Sequence, residues 1–305
     1  MRTIACARSQ KKGGGSAGVD QTGIPRYSTV PMANPLQSKR EQAVARLRSL
    51  GSALVAYSGG VDSTLLLALA LEALGDRAVA FTALSPAVAA DELEGARAVA
   101  RQLGARHVEK RSSELEDPRY ASNPVNRCYF CKTELYTLAA AEARDLGLAF
   151  VVSGTNADEL ADYRPGLRAA SEHEVVQPLA EAGLTKAEIR ALSRELRLPT
   201  WDKPQQPCLS SRIPYGIEVT AERLAQLAQS EMALRALGLR EFRVRYHGEI
   251  ARIEASAAEL DLLVRVRADA AAALKAAGFK FVTIDLEPFR SGRLNEAAGL
   301  VPLRR

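Results

Sequence analysis

The sequence predicts an α/β fold built on a parallel sheet, followed by a second, smaller α+β domain. Three observations carry this expectation. Short apolar runs alternate with helix-length segments between residues 53 and 153, the pattern of βαβ units. A Gly-rich string, Ser58-Gly-Gly-Val-Asp-Ser63, stands between the first apolar run and the helix after it. Beyond a stretch at 199–217 that holds Pro199, Pro204, Pro207 and Pro214, the order becomes helix, strand, strand, helix, strand.

Each element has its own signal. Residues 36–49 read as an amphipathic helix, and Ala53–Tyr57 as a short buried strand. An apolar helix follows at 65–74, a strand at 77–83 and a helix at 88–103 with apolar residues at helical spacing. Residues 105–109 form a third strand, 129–146 a helix and 149–153 a fourth strand. From 154 to about 184 no regular pattern is visible. Thr185-Lys-Ala-Glu188 is a capping box that opens a helix over 186–196. The Pro-rich stretch reads as the junction between domains 35–205 and 206–305. In the second domain the elements are helix 221–237, strand 241–247, a turn at Gly248-Glu249, strand 250–255, helix 257–277 and strand 279–285.

Composition narrows the partners. The chain has 305 residues, 47% hydrophobic and 25% charged, with net charge +5. Residues 1–34 hold five basic side chains and one acidic one, so the remaining 36 basic and 35 acidic residues leave a nearly neutral body. The basic balance belongs to the leader, and this removes the composition argument for a nucleic-acid-binding body. The leader is rich in Gly, Ser and Thr and reads as disordered, with Met32 an alternative start. No apolar run approaches the roughly 20 residues of a membrane span. Four cysteines in a chain of this length do not make a disulfide scaffold and point to a reducing, cytoplasmic setting.

The string Ser58–Ser63 can bind an anion. Amide N–H groups at a helix N-terminus, with glycines that permit close approach, make such a site, and Ser58 and Ser63 add hydroxyl donors. It lacks the Gly-Lys-Ser/Thr ending of a Walker loop. The plain alternative is a glycine turn with a helix cap. The string resembles the pyrophosphate loop of the N-type ATP pyrophosphatases, the superfamily of GMP synthetase, NAD synthetase and the tRNA thiolation enzymes. That resemblance implies a PP-loop parallel-sheet domain. It also implies an activity that splits ATP between its α and β phosphates to adenylate an acyl or carbonyl oxygen. A second similar segment, Ser153-Gly-Thr-Asn-Ala-Asp158, ends the fourth strand. The resemblance places ATP contacts at Ser58, Gly59, Gly60, Asp62, Ser63, Gly154 and Thr155. Asp62 is a candidate Mg²⁺ ligand, or else a first-turn carboxylate favoured by the helix dipole.

Cys128-Tyr-Phe-Cys131 opens a helix, and Cys208 follows in the Pro-rich stretch. Three cysteines suit a [4Fe–4S] cluster with one iron left open. The alternatives are a zinc site drawing on histidine, a redox dithiol favoured by a helix N-terminus, or inert buried thiols. The string Pro207-Cys-Leu-Ser-Ser-Arg-Ile-Pro-Tyr-Gly216 resembles the signature of the ATP-dependent sacrificial sulfur transferases (LarE). Arg243–His247, Ala251–Glu254 and Asp285–Asn295 extend the likeness over nearly all of 35–305. In that family the substrate is pyridinium-3,5-dicarboxylic acid mononucleotide, whose carboxylates are adenylated and converted to thiocarboxylates for the nickel-pincer nucleotide cofactor of lactate racemase. Single-cysteine members give up the sulfur of the cysteine at the Cys208 position. Three-cysteine members bind a cluster that carries an extra sulfide. With Cys128 and Cys131 present, the resemblance implies the cluster form, with Cys208 and Asp62 in the catalytic centre and an unspecified sulfide donor.

Arg243 and Arg245 alternate along a strand and so share one face, which suits a phosphate. Glu254 lies on the paired strand and Glu231 on the preceding helix. By resemblance the two arginines bind substrate phosphate, and the two glutamates belong to an acidic, metal-capable cluster. A solvated face with cross-strand ion pairs is the alternative. Arg212, near Cys208, is a further candidate for substrate phosphate or carboxylate. Trp201 reads as a packing residue at the domain junction. The family implies a homo-oligomer. The competing functions are a tRNA thiolase, against which the neutral body stands, and a nucleotide-gated carrier that binds ATP without releasing pyrophosphate.

Overall fold

A computed structural model describes residues 34–161 and 165–290, together with Arg293, Glu296 and Gly299. The leader, read above as disordered, lies outside these residues except for Asn34, as do parts of the Asp285–Asn295 string. Leu36–Arg305 cluster as one unit, and that unit is described here.

Helix α1 (Pro35–Leu50) turns Ala43, Val44, Leu47 and Leu50 inward, the spacing of one helical face. Strands β1 (Ala53–Ala56), β2 (Ala78–Leu84), β3 (Arg106–Arg111) and β4 (Phe150–Ser153) form a sheet in the order β3-β2-β1-β4. All its pairs are parallel. Helices α2 (Val61–Leu74), α3 (Ala90–Gln102), α4 (Pro118–Ala121) and α5 (Arg127–Asp145) lie in the connections. β1 is wholly apolar and β2 is apolar but for the buried Thr82, because both faces are covered. β3, at one edge, reads Arg-His-Val-Glu-Lys-Arg, and its charges blunt an edge that could otherwise pair with another chain. The strand order reverses between β1 and β4, and the carboxyl ends of strands at such a point form a crevice.

The stretch after residue 154 is more regular than the sequence suggests. It holds α6 (Pro165–Glu172) and α7 (Pro178–Glu181). Between them Val176 pairs in parallel with Val152. Ser153 N donates to Val176 O at 3.0 Å and Val176 N to Val151 O at 3.0 Å. A bridge this short leaves no periodicity to read. α8 (Lys186–Glu195) begins at the capping box: Glu188 N donates to Thr185 Oγ1 at 3.3 Å and Thr185 N to Glu188 Oε2 at 2.9 Å. Leu47, Leu65, Leu69, Ile189 and Leu192 join one core. Leu54, Phe81, Tyr136, Ala139 and Ala169 join another, which includes residues of α5 and α6.

The second sheet follows α9 (Ala221–Ala236). β5 (Phe242–His247) and β6 (Ile250–Ala255) form an antiparallel hairpin, and β7 (Phe281–Ile284) pairs in parallel with β6. The helix expected at 257–277 is two helices, α10 (Leu260–Arg265) and α11 (Arg267–Ala276), which meet at Val266. The break lets Leu263, Ala270 and Leu274 reach one core. That core also takes Ala87 and Tyr120 from the first half and Leu209 and Ile213 from the Pro-rich stretch. The stretch is therefore stitched down along its later part. Leu209 N donates to Ala87 O at 2.7 Å, Gly216 N to Asn123 O at 2.9 Å and Val219 N to Ala121 O at 2.8 Å. Among the described residues no helix is long and apolar enough to cross a membrane.

Candidate active site

The Ser58–Ser63 string lies at the carboxyl end of β1, as its sequence position implies. α2 starts at Val61, capped by Gly60 without a side-chain bond. The first intrahelical bond runs from Thr64 N to Gly60 O at 2.9 Å. The amides of Val61, Asp62 and Ser63 precede it and form the anion-attracting end of the helix. Ser58 Oγ and Ser63 Oγ lie 3.1 Å apart. Gly59 has φ +68°, and a Cβ there would stand 2.6 Å from Ala96 Cβ, so the turn admits only glycine. Gly154 is constrained by close approach alone: a Cβ would stand 2.9 Å from Ser63 N. The end of β4 thus rests directly on the start of α2, which brings the two sequence motifs together.

A cavity of about 590 Å³ opens over this junction. Ser58, Gly60, Asp62, Ser63, Gly154 and Thr155 line one end. Arg127, Cys128, Lys132 and Tyr136 line its middle, and Arg243, Arg245, Phe289 and Arg293 the other end. Pro207 and Ser211, which flank the Cys208 segment, are also in the wall.

Buried polar bonds hold the cysteine segments beside each other. Asn123, fully buried, donates through Nδ2 to Pro214 O and Ile217 O at 2.8 Å each, and its Oδ1 accepts from Arg127 Nη1. Tyr120 Oη and Ser210 Oγ are 2.6 Å apart. The loop before Cys128 is thereby fastened to the loop around Cys208. Burial pushes the Cys128 thiol up, Cys208 adds to that, and the Arg127 and Lys132 cations oppose it. Burial pushes Cys131 well up, with the Glu114 carboxylate and Cys208 next in effect. Three thiols on adjoining segments, with the Arg127 and Lys132 cations acting on Cys128, have the donor chemistry to suit an iron–sulfur cluster, because binding iron replaces the thiol protons. As placed, however, no three His, Cys, Asp or Glu side chains among the described residues form a metal-holding group.

At the charged end, burial sorts the predicted residues. Arg212, only 1% exposed, lies outside the cavity lining and forms a two-pronged pair with Glu231, Nε–Oε1 2.9 Å and Nη2–Oε2 3.0 Å. It also donates to Pro207 O at 2.6 Å. Burial penalises the Glu231 charge, but Arg212 outweighs it and holds the carboxyl below its ordinary value. Glu254 binds Arg245 at 2.7 Å and Arg252 at 2.9 Å. Glu231 and Glu254 therefore form no acidic cluster with each other; guanidinium groups already occupy their oxygens. The expectation of a metal-capable pair gives way to two buried ion pairs, and Arg212 stands behind the wall rather than on it.

Arg243 differs from both. It has no carboxylate partner among the described residues. Its Nη2 donates to Gln205 O at 2.7 Å and Nη1 to Phe242 O at 2.5 Å, and it stacks 4.8 Å from the Phe289 ring centroid. Burial, followed by the neighbouring Arg212 charge, pushes it down to about 10. A cation that lines a cavity and is penalised in this way gains from any anion that enters.

Three lysines were missed by sequence reasoning. Lys186 Nζ pairs with Asp62 across 124 residues of chain. Lys203 Nζ donates to Gly59 O at 3.2 Å and pairs with Glu92 at 2.7 Å. Lys132 lies one turn beyond Cys128 and lines the cavity. Lone lysines carry no local motif, and only their contacts mark them. Trp201 is 38% exposed, with the Arg194 guanidinium 5.1 Å from its ring, a packing arrangement at the surface.

A parallel sheet with a serine- and glycine-rich turn at its switch point, opening into a cavity lined by anion-attracting groups, defines a PP-loop ATP pyrophosphatase. Comparison with known proteins agrees. The asparagine synthase family matches residues 36–266. An uncharacterized protein of Synechocystis sp. is 45% identical over 262 residues, 85% of this chain and 98% of that protein. Pyridinium-3,5-bisthiocarboxylic acid mononucleotide synthase of Lactiplantibacillus plantarum is 39% identical over 266 residues, 86% of this chain and 95% of that protein. GMP synthase of Nocardia farcinica is 30% identical over 61% of this chain and 41% of that protein. Within the superfamily, the chain belongs to the ATP-dependent sulfur transferase family of the Lactiplantibacillus synthase.

Proposed function

We propose that this enzyme adenylates the carboxylates of pyridinium-3,5-dicarboxylic acid mononucleotide and converts them to thiocarboxylates for nickel-pincer nucleotide biosynthesis. One observation carries the reading: a single cavity joins the Ser58–Ser63 loop, a thiol at Cys128 and the unmatched Arg243 guanidinium. The three parts correspond to the three needs of the reaction, a phosphate cradle, a sulfur holder and an anchor for a small phosphorylated substrate.

The chain's residues divide the work accordingly. The amides of Val61, Asp62 and Ser63 receive ATP phosphates, with the Ser58 and Ser63 hydroxyls as added donors and Gly59, Gly60, Gly154 and Thr155 shaping the cradle. Asp62 would hold Mg²⁺, which screens charge between phosphates. Arg243, assisted by Arg245, binds the mononucleotide phosphate and so directs a carboxylate towards the α-phosphorus. That carboxylate oxygen attacks the α-phosphorus, and the bond to pyrophosphate breaks. Attack of sulfur on the acyl carbon then expels AMP, a far better leaving group than oxide. Cys128, Cys131 and Cys208 would hold a [4Fe–4S] cluster, which supplies the sulfide when bound. Arg127 and Lys132 offset negative charge in the middle of the cavity.

Pyrophosphate release tests the reading. It is expected on adding the pyridinium dicarboxylate mononucleotide with ATP, and release on adding tRNA instead would sink it. Protein purified without oxygen is expected to contain iron. Iron-free protein that still transfers sulfur and loses mass at Cys208 would replace the cluster with a sacrificial cysteine.

A further inference from the structure

Residues 201–208 link the phosphate loop at one end to the arginines around the second sheet at the other, and they are bonded at both. At the first end, Lys203 Nζ donates to the Gly59 carbonyl of the phosphate loop at 3.2 Å and pairs with Glu92 at 2.7 Å. The backbone of the same segment is held by α8. Arg190 donates to Trp201 O at 2.8 Å and Lys203 O at 2.9 Å, and Arg194 stacks on the Trp201 ring. At the other end, Arg243 donates to Gln205 O at 2.7 Å, and Arg212 to Pro207 O at 2.6 Å and Cys208 O at 3.2 Å. Pro204 and Pro207 stiffen the chain between these attachments.

We propose that Lys203 is a positioning residue that couples occupancy of the phosphate loop to the placement of Cys208. This rests on the loop binding ATP, as argued above. Gly59 packs against α3 too closely to move freely, so its carbonyl gives the Lys203 ammonium a defined seat beside the phosphate cradle. A triphosphate on the loop concentrates negative charge next to that ammonium and draws it inward, against its bond to Glu92. The chain from Lys203 to Cys208 is only six residues long and has few free torsions, so the displacement reaches the thiol. The cell thereby avoids exposing a sulfur donor before an acyl adenylate can form.

The chain's single tryptophan, Trp201, lies in this segment and reports on it. Two measurements test the proposal in the full-length protein. In the first, ATP with Mg²⁺ is titrated while Trp201 fluorescence is followed, with calorimetry on the same samples. The unsubstituted protein is expected to change emission in step with binding. Lys203→Met is expected to bind ATP within about threefold of the unsubstituted protein but to lose the emission change, and Lys203→Arg to restore it. ATP binding by the unsubstituted protein without any emission change overturns the coupling, whereas no ATP binding at all overturns the functional reading beneath it. In the second, the ratio of AMP released to sulfur transferred is measured. Lys203→Met is expected to raise it by up to about 100-fold, the scale of a mispositioned reactive group. A merely structural lysine would lower both products in proportion and leave the ratio unchanged, which also overturns the proposal. If Lys203→Met does not fold, Glu92→Gln, which frees the ammonium, is expected to enlarge the emission change; an unaltered change counts against the coupling.

Discussion

The two ends of the cavity attract anions by different means. At the Ser58–Ser63 loop the donors are backbone amides and two hydroxyls, and the nearby charged side chains, Asp62, Lys186 and Lys203, form part-exposed contacts. At the second sheet the donors are guanidinium groups taken out of water, with Arg212 and Arg245 matched by Glu231 and Glu254 and Arg243 left for a ligand. Backbone donors depend on glycines that bring the chain close. Buried side chains depend on a partner, or on the ligand, to offset their desolvation. The first end is therefore sensitive to shape and the second to charge.

Three substitutions sharpen this contrast, in falling order of effect. Glu231→Gln leaves the Arg212 charge buried without its partner and is expected to cost about 3–5 kcal/mol of folding stability. Urea denaturation reads this directly. Replacing both partners, Arg212→Met with Glu231→Leu, should recover most of the loss, and a double variant as unstable as the single one would refute the pairing argument. Gly154→Ala pushes a methyl to within 2.9 Å of Ser63 N. Substrate-dependent pyrophosphate release should fall about 100-fold, while stability falls by only about 1–3 kcal/mol. Arg243→Met is expected to weaken binding of the pyridinium mononucleotide about tenfold, the loss of one charged hydrogen bond. Stability should hold or rise, since the cation has no carboxylate partner among the described residues and burial opposes its charge. A loss of stability comparable with that of Glu231→Gln would show that Arg243 is structural like Arg212.

Legibility in the sequence follows the distance along the chain over which each feature is built. Ser58–Ser63 is contiguous, so its strand–turn–helix context and its hydroxyls could be read directly. The capping box at Thr185 spans four residues and was equally visible. The bridge at Val176, a single residue between short helices, left no periodic signal. The break at Val266 has no glycine or proline to announce it. Arg212 and Glu231 are 19 residues apart, and sequence alone could not tell a guanidinium facing substrate from one sealed against a carboxylate. Lys186 reaches Asp62 and Lys203 reaches Gly59 across more than a hundred residues, beyond any local rule.

The sequence by itself determined the parallel α/β architecture, the anion-binding turn and the family, because these rest on local periodicity and on contiguous strings. Only the tertiary structure decided which charges face the cavity and which are struts. Burial and partner choice depend on what packs above each side chain, and in this chain that is supplied by the segment from Trp201 to Gly216, folded back across the end of the sheet.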